Sequence, residues 1–280
     1  MNNAMVIDAH QHFWRIADRQ GHWPPAALAP IHRDFEPVDL LPELKACGID
    51  ATVLVQSLPT LADTQRLLDL AARHGFVLGV VGWVDMARPD AALHIARLAQ
   101  NVSLKGLRPM LQDLPDDGWS NDPAFDAAAR AMHDCGLAFD ALVRPAQLPA
   151  LLAFARRHPR LRIVIDHAAK PPIASGTFEP WCSDIAALAT LPNLHCKFSG
   201  LLTEAGPHAD GTVLAPWVTQ LFAAFGHERL MWGSDWPVLQ LAADYGSWFT
   251  MARRLCEAHA CGAALDAVFG GNARRFYKLD

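Results

Sequence analysis

The chain has no apolar stretch near the roughly 18 residues a membrane span needs. It has no excess of basic charge either. Its net charge is −5, whereas a nucleic-acid partner calls for a basic face. Its six cysteines (Cys47, Cys135, Cys182, Cys196, Cys256 and Cys261) form no C-x-x-C pair, which argues against a cysteine zinc site and for reduced thiols serving as small buried hydrophobes. No basic leader or cleavage pattern precedes the first apolar run, so a soluble cytoplasmic protein is expected. No G-x-G-x-x-G follows that run, which weighs against an open nucleotide-binding sheet. No G-x-S-x-G elbow is present, so a serine nucleophile is poorly supported. With 51% hydrophobic and 19% charged residues, disorder is also excluded.

What is present is an alternation. Eight short β-like runs can be counted: Met5–Ala9, Ala51–Gln56, Val77–Val84, Leu104–Arg108, Leu137–Val143, Arg162–Asp166, Leu194–Phe198 and Arg229–Gly233. Helix signals lie between them. Pro42 reads as an early helical position, Asp63 as the start of the next helix, and Asp122-Pro123 as the opening of another. Strands alternating with helices of about ten to fifteen residues imply βαβ units on a parallel sheet. The 280 residues are close to the roughly 250 of one (β/α)8 barrel. The expected architecture is therefore a single α/β TIM barrel spanning residues 1–280 as one domain. Phe13–Asp39, rich in proline and tryptophan (Trp14, Trp23), would cover the C-terminal mouth, and Leu201–Pro216 would be a second loop of that kind.

The first and last strands of a closed barrel are neighbours, so their C-terminal ends meet. Alternation puts His10 and His12 on one face, where two neutral imidazoles can hold a divalent cation. Two histidines hydrogen-bonded in a polar mouth would look the same in sequence. His167 ends the sixth run and suits a third ligand or a carbonyl-polarising group. Asp166 is one residue out of phase and is expected in the wall or paired with a neighbour. Asp235 ends the eighth run and can bind a cation or accept a proton from water; its bland alternative is a helix cap. Ser234 is out of phase with it and is expected to point into the wall. Arg108 offers a fixed fork for a carbonyl, carboxylate or hydroxyl pair, against the alternative of a structural ion pair. Lys105, Lys170 and Lys197 are candidates to bind substrate. Trp14, Trp83 and Trp236 lie at strand ends and could wall a sugar-like ring or simply fill the mouth.

Several strings carry a family resemblance: Ile7-Asp8-Ala9-His10-Gln11-His12-Phe13-Trp14, Lys105-Gly106-Leu107-Arg108, Asp166-His167, Lys197-Phe198-Ser199-Gly200, Gly233-Ser234-Asp235-Trp236-Pro237 and the closing Gly271-Asn272-Ala273-Arg274-Arg275-Phe276-Tyr277. Taken in order, they resemble the amidohydrolase superfamily in its lactonase branch, which includes sugar lactonases and pyrone-dicarboxylate lactonases. The resemblance implies a (β/α)8 barrel that hydrolyses a cyclic ester. Binuclear members carry a histidine on strand five. The run Ala138-Phe139-Asp140-Ala141-Leu142 has none, and Lys105 sits in the branch's own K-G-x-R string rather than as a bridging lysine. The cofactor implied is thus one divalent metal, Zn2+, or none.

The favoured reading is a lactonase opening a small sugar-derived lactone, with His10, His12 and His167 polarising the carbonyl directly or through a metal and Asp235 moving the proton. A decarboxylase of an unsaturated or aromatic acid on the same scaffold is the alternative. A non-catalytic barrel that binds a sugar acid is a third. The expected partner is the small-molecule lactone alone, without nucleic acid or membrane.

Overall fold

The computed structural model describes residues 4–114, 118–206 and 209–280. Eight strands pair in sequence order: β1 (Ile7–Gln11), β2 (Ala51–Val55), β3 (Val77–Gly82), β4 (Leu104–Leu107), β5 (Ala138–Ala141), β6 (Ile163–Ile165), β7 (Leu194–Phe198) and β8 (Leu230–Trp232). Every neighbouring pair is parallel. The ring closes just beyond the last strand. The His12 amide donates to the Trp236 carbonyl at 2.7 Å and the Asp235 amide to the His10 carbonyl at 2.8 Å. This is a (β/α)8 barrel. Its strands are apolar on both faces because one face lines the barrel and the other meets the helices.

The barrel interior is a packed core. Ile7, Ala9, Val53, Val55, Val81, Ala138, Val164 and Met231 form one cluster with Ala273, Phe276, Tyr277 and Leu279. The latter four come from the C-terminal helix Asn272–Tyr277 and its tail, which plug the barrel floor. Asn272 ties the plug in place by donating to the His227 carbonyl ahead of β8 and to the carbonyl of Leu230 at its start.

Several local expectations shift. β1 runs two residues later than its apolar pattern suggests, because Met5 is 40% exposed and pairing begins at Ile7. The first helix is Pro37–Cys47, so Pro37 and not Pro42 opens it; Glu36 and Asp39 form its capping box. Pro42 is tolerated within because the carbonyl it leaves unpaired belongs to Val38, whose side chain is exposed. Thr60, not Asp63, caps the next helix, accepting from the Asp63 amide at 3.0 Å. Leu201–Pro216 is not a loop. It holds the helix Leu201–Ala205 and the start of Gly211–Phe225, while its residues 207 and 208 lie outside the described ones. All six cysteines are free, but only Cys196 and Cys256 are buried; Cys135 and Cys261 are exposed. No helix among the described residues is long and apolar enough to cross a membrane.

His195, near the barrel floor, gives a pH prediction. Burial first, then Arg229, Arg162 and Arg275, push its pKa down to about 4, and its Nδ1 has no partner. Between pH 6.5 and about 4 the unfolded chain accepts a proton that the folded chain refuses. Stability therefore rises with pH across this window and is lost as pH falls. Going from pH 8 to pH 5, this one group should cost on the order of 2 kcal/mol. His195→Gln should lose that much less than wild type in urea unfolding at the two pH values. Equal losses would show His195 titrating as an ordinary surface imidazole.

Candidate active site

His10 and His12 reach the barrel mouth from β1 as their spacing requires. They are 0% and 3% exposed. The neighbouring β8 end leaves room for them: a Cβ on Gly233 would lie 2.8 Å from the His10 Cβ. Beyond Gly233 the chain is pinned by Asp8. Its carboxylate accepts from the Ser234 hydroxyl (2.6 Å), the Ser234 amide (2.8 Å) and the Tyr245 hydroxyl (2.9 Å). Ser234 does point into the wall, and this clamp turns Asp235 inward in the left-handed region at φ 59°. Such a conformation costs a non-glycine residue about 1–3 kcal/mol and persists only where surrounding contacts enforce it.

Strand β6 stops at Ile165, and the next residues break the expected phase. His167, Ala168, Ala169 and Lys170 all have positive φ, between 50° and 60°. The Trp181 indole donates to the Ala168 carbonyl at 2.8 Å and holds this turn. The turn brings both Asp166 and His167 inside. Asp166 meets Lys197 at 3.0 Å, Arg108 at 3.3 Å and His10 Nδ1 at 3.4 Å.

Four side chains converge at the mouth. Asp235 Oδ1 lies 3.3 Å from His12 Nε2 and 3.7 Å from both His10 Nε2 and His167 Nε2. Burial lowers the pKa of all three imidazoles, to about 4 for His167, so they are neutral at pH 7. Burial works to raise that of Asp235, but His167, His12 and His10, in the protonated form they take at low pH, outweigh it and hold the carboxyl below its usual range. The site thus presents an ionised base among neutral imidazoles.

His12, His167 and Asp235 open on a cavity of about 180 Å3 that Arg108, Lys170, Gln112 and Asp113 also line, with His10 buried behind them. Arg108 is 3% exposed. It is partly committed to Asp166 and to the Gln56 carbonyl, the structural ion pair its sequence reading allowed, while still lining the cavity. Lys170 pairs with Glu204 at 3.2 Å at the rim.

The structure brings His10, His12, His167, Asp235, Arg108 and Lys170 together and leaves five candidates elsewhere. Lys105 reaches down to the Lys278 carbonyl at 3.0 Å. Lys197 is fully buried beneath the histidines, paired with Asp140 at 2.6 Å, and lines no part of the cavity. Trp14 and Trp236 are 1% and 2% exposed. Both pack edge-on against Phe35, at 5.4 Å and 5.2 Å, and so fill the wall. Trp83 is half-buried, its backbone bonded to the Thr64 hydroxyl, outside the cavity lining. The aromatic that does line the cavity is Trp23; the Pro-rich composition of Phe13–Asp39 was its only signal.

The donor set fits a divalent cation. His12 Nδ1 donates to the Val55 carbonyl at 2.7 Å, which leaves a lone pair on Nε2 facing the Asp235 carboxylate. Two acceptors so opposed are relieved by a positive charge between them. The facing atoms of His10, His12 and Asp235 lie within 4.8 Å of one another, as do those of His10, Asp166 and His167.

Comparison with known proteins agrees with this geometry. The chain is 56% identical over 277 residues to an L-fucono-1,5-lactonase of Burkholderia ambifaria, covering 98% of this chain and 96% of that one. It is 35% identical to an L-fucono-1,5-lactonase of Burkholderia multivorans, covering 99% and 97%. An amidohydrolase of Burkholderia multivorans solved with bound Zn superposes with a TM-score of 0.93 at 35% identity, covering 99% of this chain and 100% of that one. The family model described as amidohydrolase matches residues 7–279, and the chain belongs to that family.

Proposed function

We propose that the protein hydrolyses a small sugar-derived lactone, of the L-fucono-1,5-lactone type, to its open-chain acid. The observation that carries this is the convergence of His10, His12 and His167 within 3.3–3.7 Å of Asp235 Oδ1 beside a cavity of about 180 Å3, the scale of one monosaccharide unit. The names of the two relatives support the same substrate class.

The chain's own groups divide the work. Arg108 and Lys170 offer donors to the lactone's carbonyl and hydroxyl oxygens, and Trp23 offers an apolar face to the ring. Asp235 accepts a proton from water as the water oxygen bonds to the carbonyl carbon. When the acyl–oxygen bond of the ring breaks, the same proton passes to the departing ring oxygen. His167, with Nδ1 held by Ser199 at 2.9 Å, faces the reacting atoms through Nε2. His10, His12 and Asp235 would hold one divalent cation, which we assign as Zn2+. When bound, it supplies Lewis acidity toward the carbonyl and raises the acidity of nearby water.

Acid release across a panel of aldonolactones, followed with a pH indicator alongside metal analysis, tests the reading. Turnover above the spontaneous rate is expected for 1,5-lactones of deoxyhexonic acids. No acid release from any member, with folded and Zn2+-replete protein, would overturn it. Carbon dioxide evolved from an aromatic acid would point to the decarboxylase instead.

Trp23 is 40% exposed and is braced by Arg19, whose guanidinium carbon lies 5.8 Å from its ring centroid. An aromatic face of this kind contributes about 0.5–1.5 kcal/mol. Trp23→Ala should therefore raise KM about 2–10-fold with kcat unchanged, the pattern of lost ground-state binding. A fall in kcat at constant KM would place Trp23 in the chemistry instead.

A further inference from the structure

Lys197 lies beneath the site and takes no part in the steps above. It is 0% exposed, and its ammonium contacts Asp140 Oδ2 at 2.6 Å, Asp166 Oδ1 at 3.0 Å and His10 Nδ1 at 3.1 Å. An ammonium has donors only, so a bond to His10 requires a lone pair on Nδ1. The His10 proton then sits on Nε2, 3.2 Å from His12 Nε2. His12 in turn donates from Nδ1 to the Val55 carbonyl at 2.7 Å. The bonds run one way, from Lys197 through His10 and His12 to Val55; Arg108 Nη1, at the longer distance of 3.4 Å from His10 Nε2, makes no hydrogen bond to it in this tautomer. In this arrangement neither Nε2 offers a free lone pair.

A second arrangement uses the same atoms. Moving the His10 proton from Nε2 to Nδ1 directs it at Asp166 Oδ1, 3.4 Å away, an oxygen with room for a further donor. Lys197 keeps its hydrogen bond to Asp140 and its ion pair with Asp166. Both Nε2 lone pairs now face Asp235, and the cluster is ready for a cation. The proton count is unchanged; one proton crosses one ring.

We propose that Lys197 is a positioning residue that sets the tautomer of His10, so that a divalent cation binds only by displacing the hydrogen-bond chain that Lys197 starts. Two features hold Lys197 to this task. Asp140 fixes its head, and the Tyr277 hydroxyl from the floor plug donates to the same Asp140 oxygen at 2.6 Å. Arg108 adds a second fixed positive charge, 3.4 Å from His10 Nε2. Two buried cations beside the ligand set weaken its hold on a third. The pairing of Lys197 on β7 with His10 on β1 thus acquires a physical meaning: the cation is bound reversibly rather than built in.

The inference rests on the lactonase reading for nothing but the location of the site, and its test does not use turnover. In wild type with ring-15N histidine, NMR of metal-stripped protein should show the His10 proton on Nε2. Adding Zn2+ alone should move it to Nδ1. The signal is assigned by its loss in His10→Gln. Zn2+ affinity, measured against a competing chelator, should rise about 10–100-fold in Lys197→Met, the scale on which groups behind a ligand tune a metal. A His10 proton on Nδ1 in stripped wild type overturns the proposal. So does unchanged or weaker Zn2+ binding by a folded Lys197→Met. Should that variant fail to fold, the wild-type spectrum alone decides the matter. Absence of lactonase activity would leave both readouts standing.

Discussion

Asp235→Asn should lower kcat for lactone opening by about 10²–10⁴-fold, the usual cost of losing a general base, while the fold survives. The substitution keeps the shape of the side chain and removes only its charge and basicity. Asparagine also tolerates the left-handed backbone that Asp235 adopts at φ 59°, so the turn after β8 is not strained. The amide of residue 235 still donates to the His10 carbonyl, and the Asp8–Ser234 clamp is untouched. A far-ultraviolet spectrum and melting temperature close to wild type should confirm this. Because Asp235 also faces the cation position, Zn2+ content must be measured in parallel. A variant that loads Zn2+ fully and is still inactive has lost the base; one that recovers at high Zn2+ has lost a ligand. Wild-type kcat in the folded variant would make Asp235 structural and would remove the mechanism proposed here.

The main features of fold and site were legible because they obey short-range rules. Eight apolar runs separated by capped helices can close only as a barrel or spread as an open sheet, and no nucleotide loop favours the latter. A period of two places His10 and His12 together on one strand. The meeting of β1 and β8 brings Asp235 to both. What could not be read depends on breaks in those rules. Asp166 looked out of phase because phase was counted along a strand that stops at Ile165; four consecutive left-handed residues without a glycine are not visible in composition. Lys105 groups in sequence with Lys170 and Lys197 as a substrate contact, but it lies three residues from Arg108, an odd spacing that faces the other side of a strand, and its side chain runs to the floor. Trp14 and Trp236 were indistinguishable from ring-stacking platforms. Whether a tryptophan faces a cavity or a phenylalanine depends on where Phe35 arrives, and that is a long-range fact. Lys197 also reads as a substrate contact, whereas it is fully buried and lines no part of the cavity. Its burial under His10 follows from the sizes of its neighbours in the barrel, not from its own spacing.

The string Lys197-Phe198-Ser199-Gly200 carries one more consequence, at its last residue. Gly200 has φ 67°, and a Cβ added there would lie 2.8 Å from the Cβ, Cγ and Nδ1 of His167. Real side chains do not tolerate that approach, so something must move. The backbone cannot yield easily, since Gly200 follows directly on Ser199, whose hydroxyl holds His167 Nδ1 at 2.9 Å. The imidazole must therefore shift or rotate. Gly200→Ala should then incur two separate penalties. The left-handed backbone costs about 1–2 kcal/mol of stability, and a displacement of His167 approaching 1 Å costs about 10²-fold in kcat. Gly48→Ala separates the two. Gly48 has the same left-handed backbone, at φ 66° and ψ 35°, but a Cβ added there would meet nothing within 4 Å, so that variant should lose comparable stability and keep full kcat. The pair is read by melting temperature and by steady-state rate on the same lactone. If Gly200→Ala retains wild-type kcat, the ring has room that its contacts do not suggest, and His167 does not need its observed placement for the reaction. If both variants lose rate equally, the loss comes from backbone strain, and the close packing of Gly200 on His167 has no catalytic consequence.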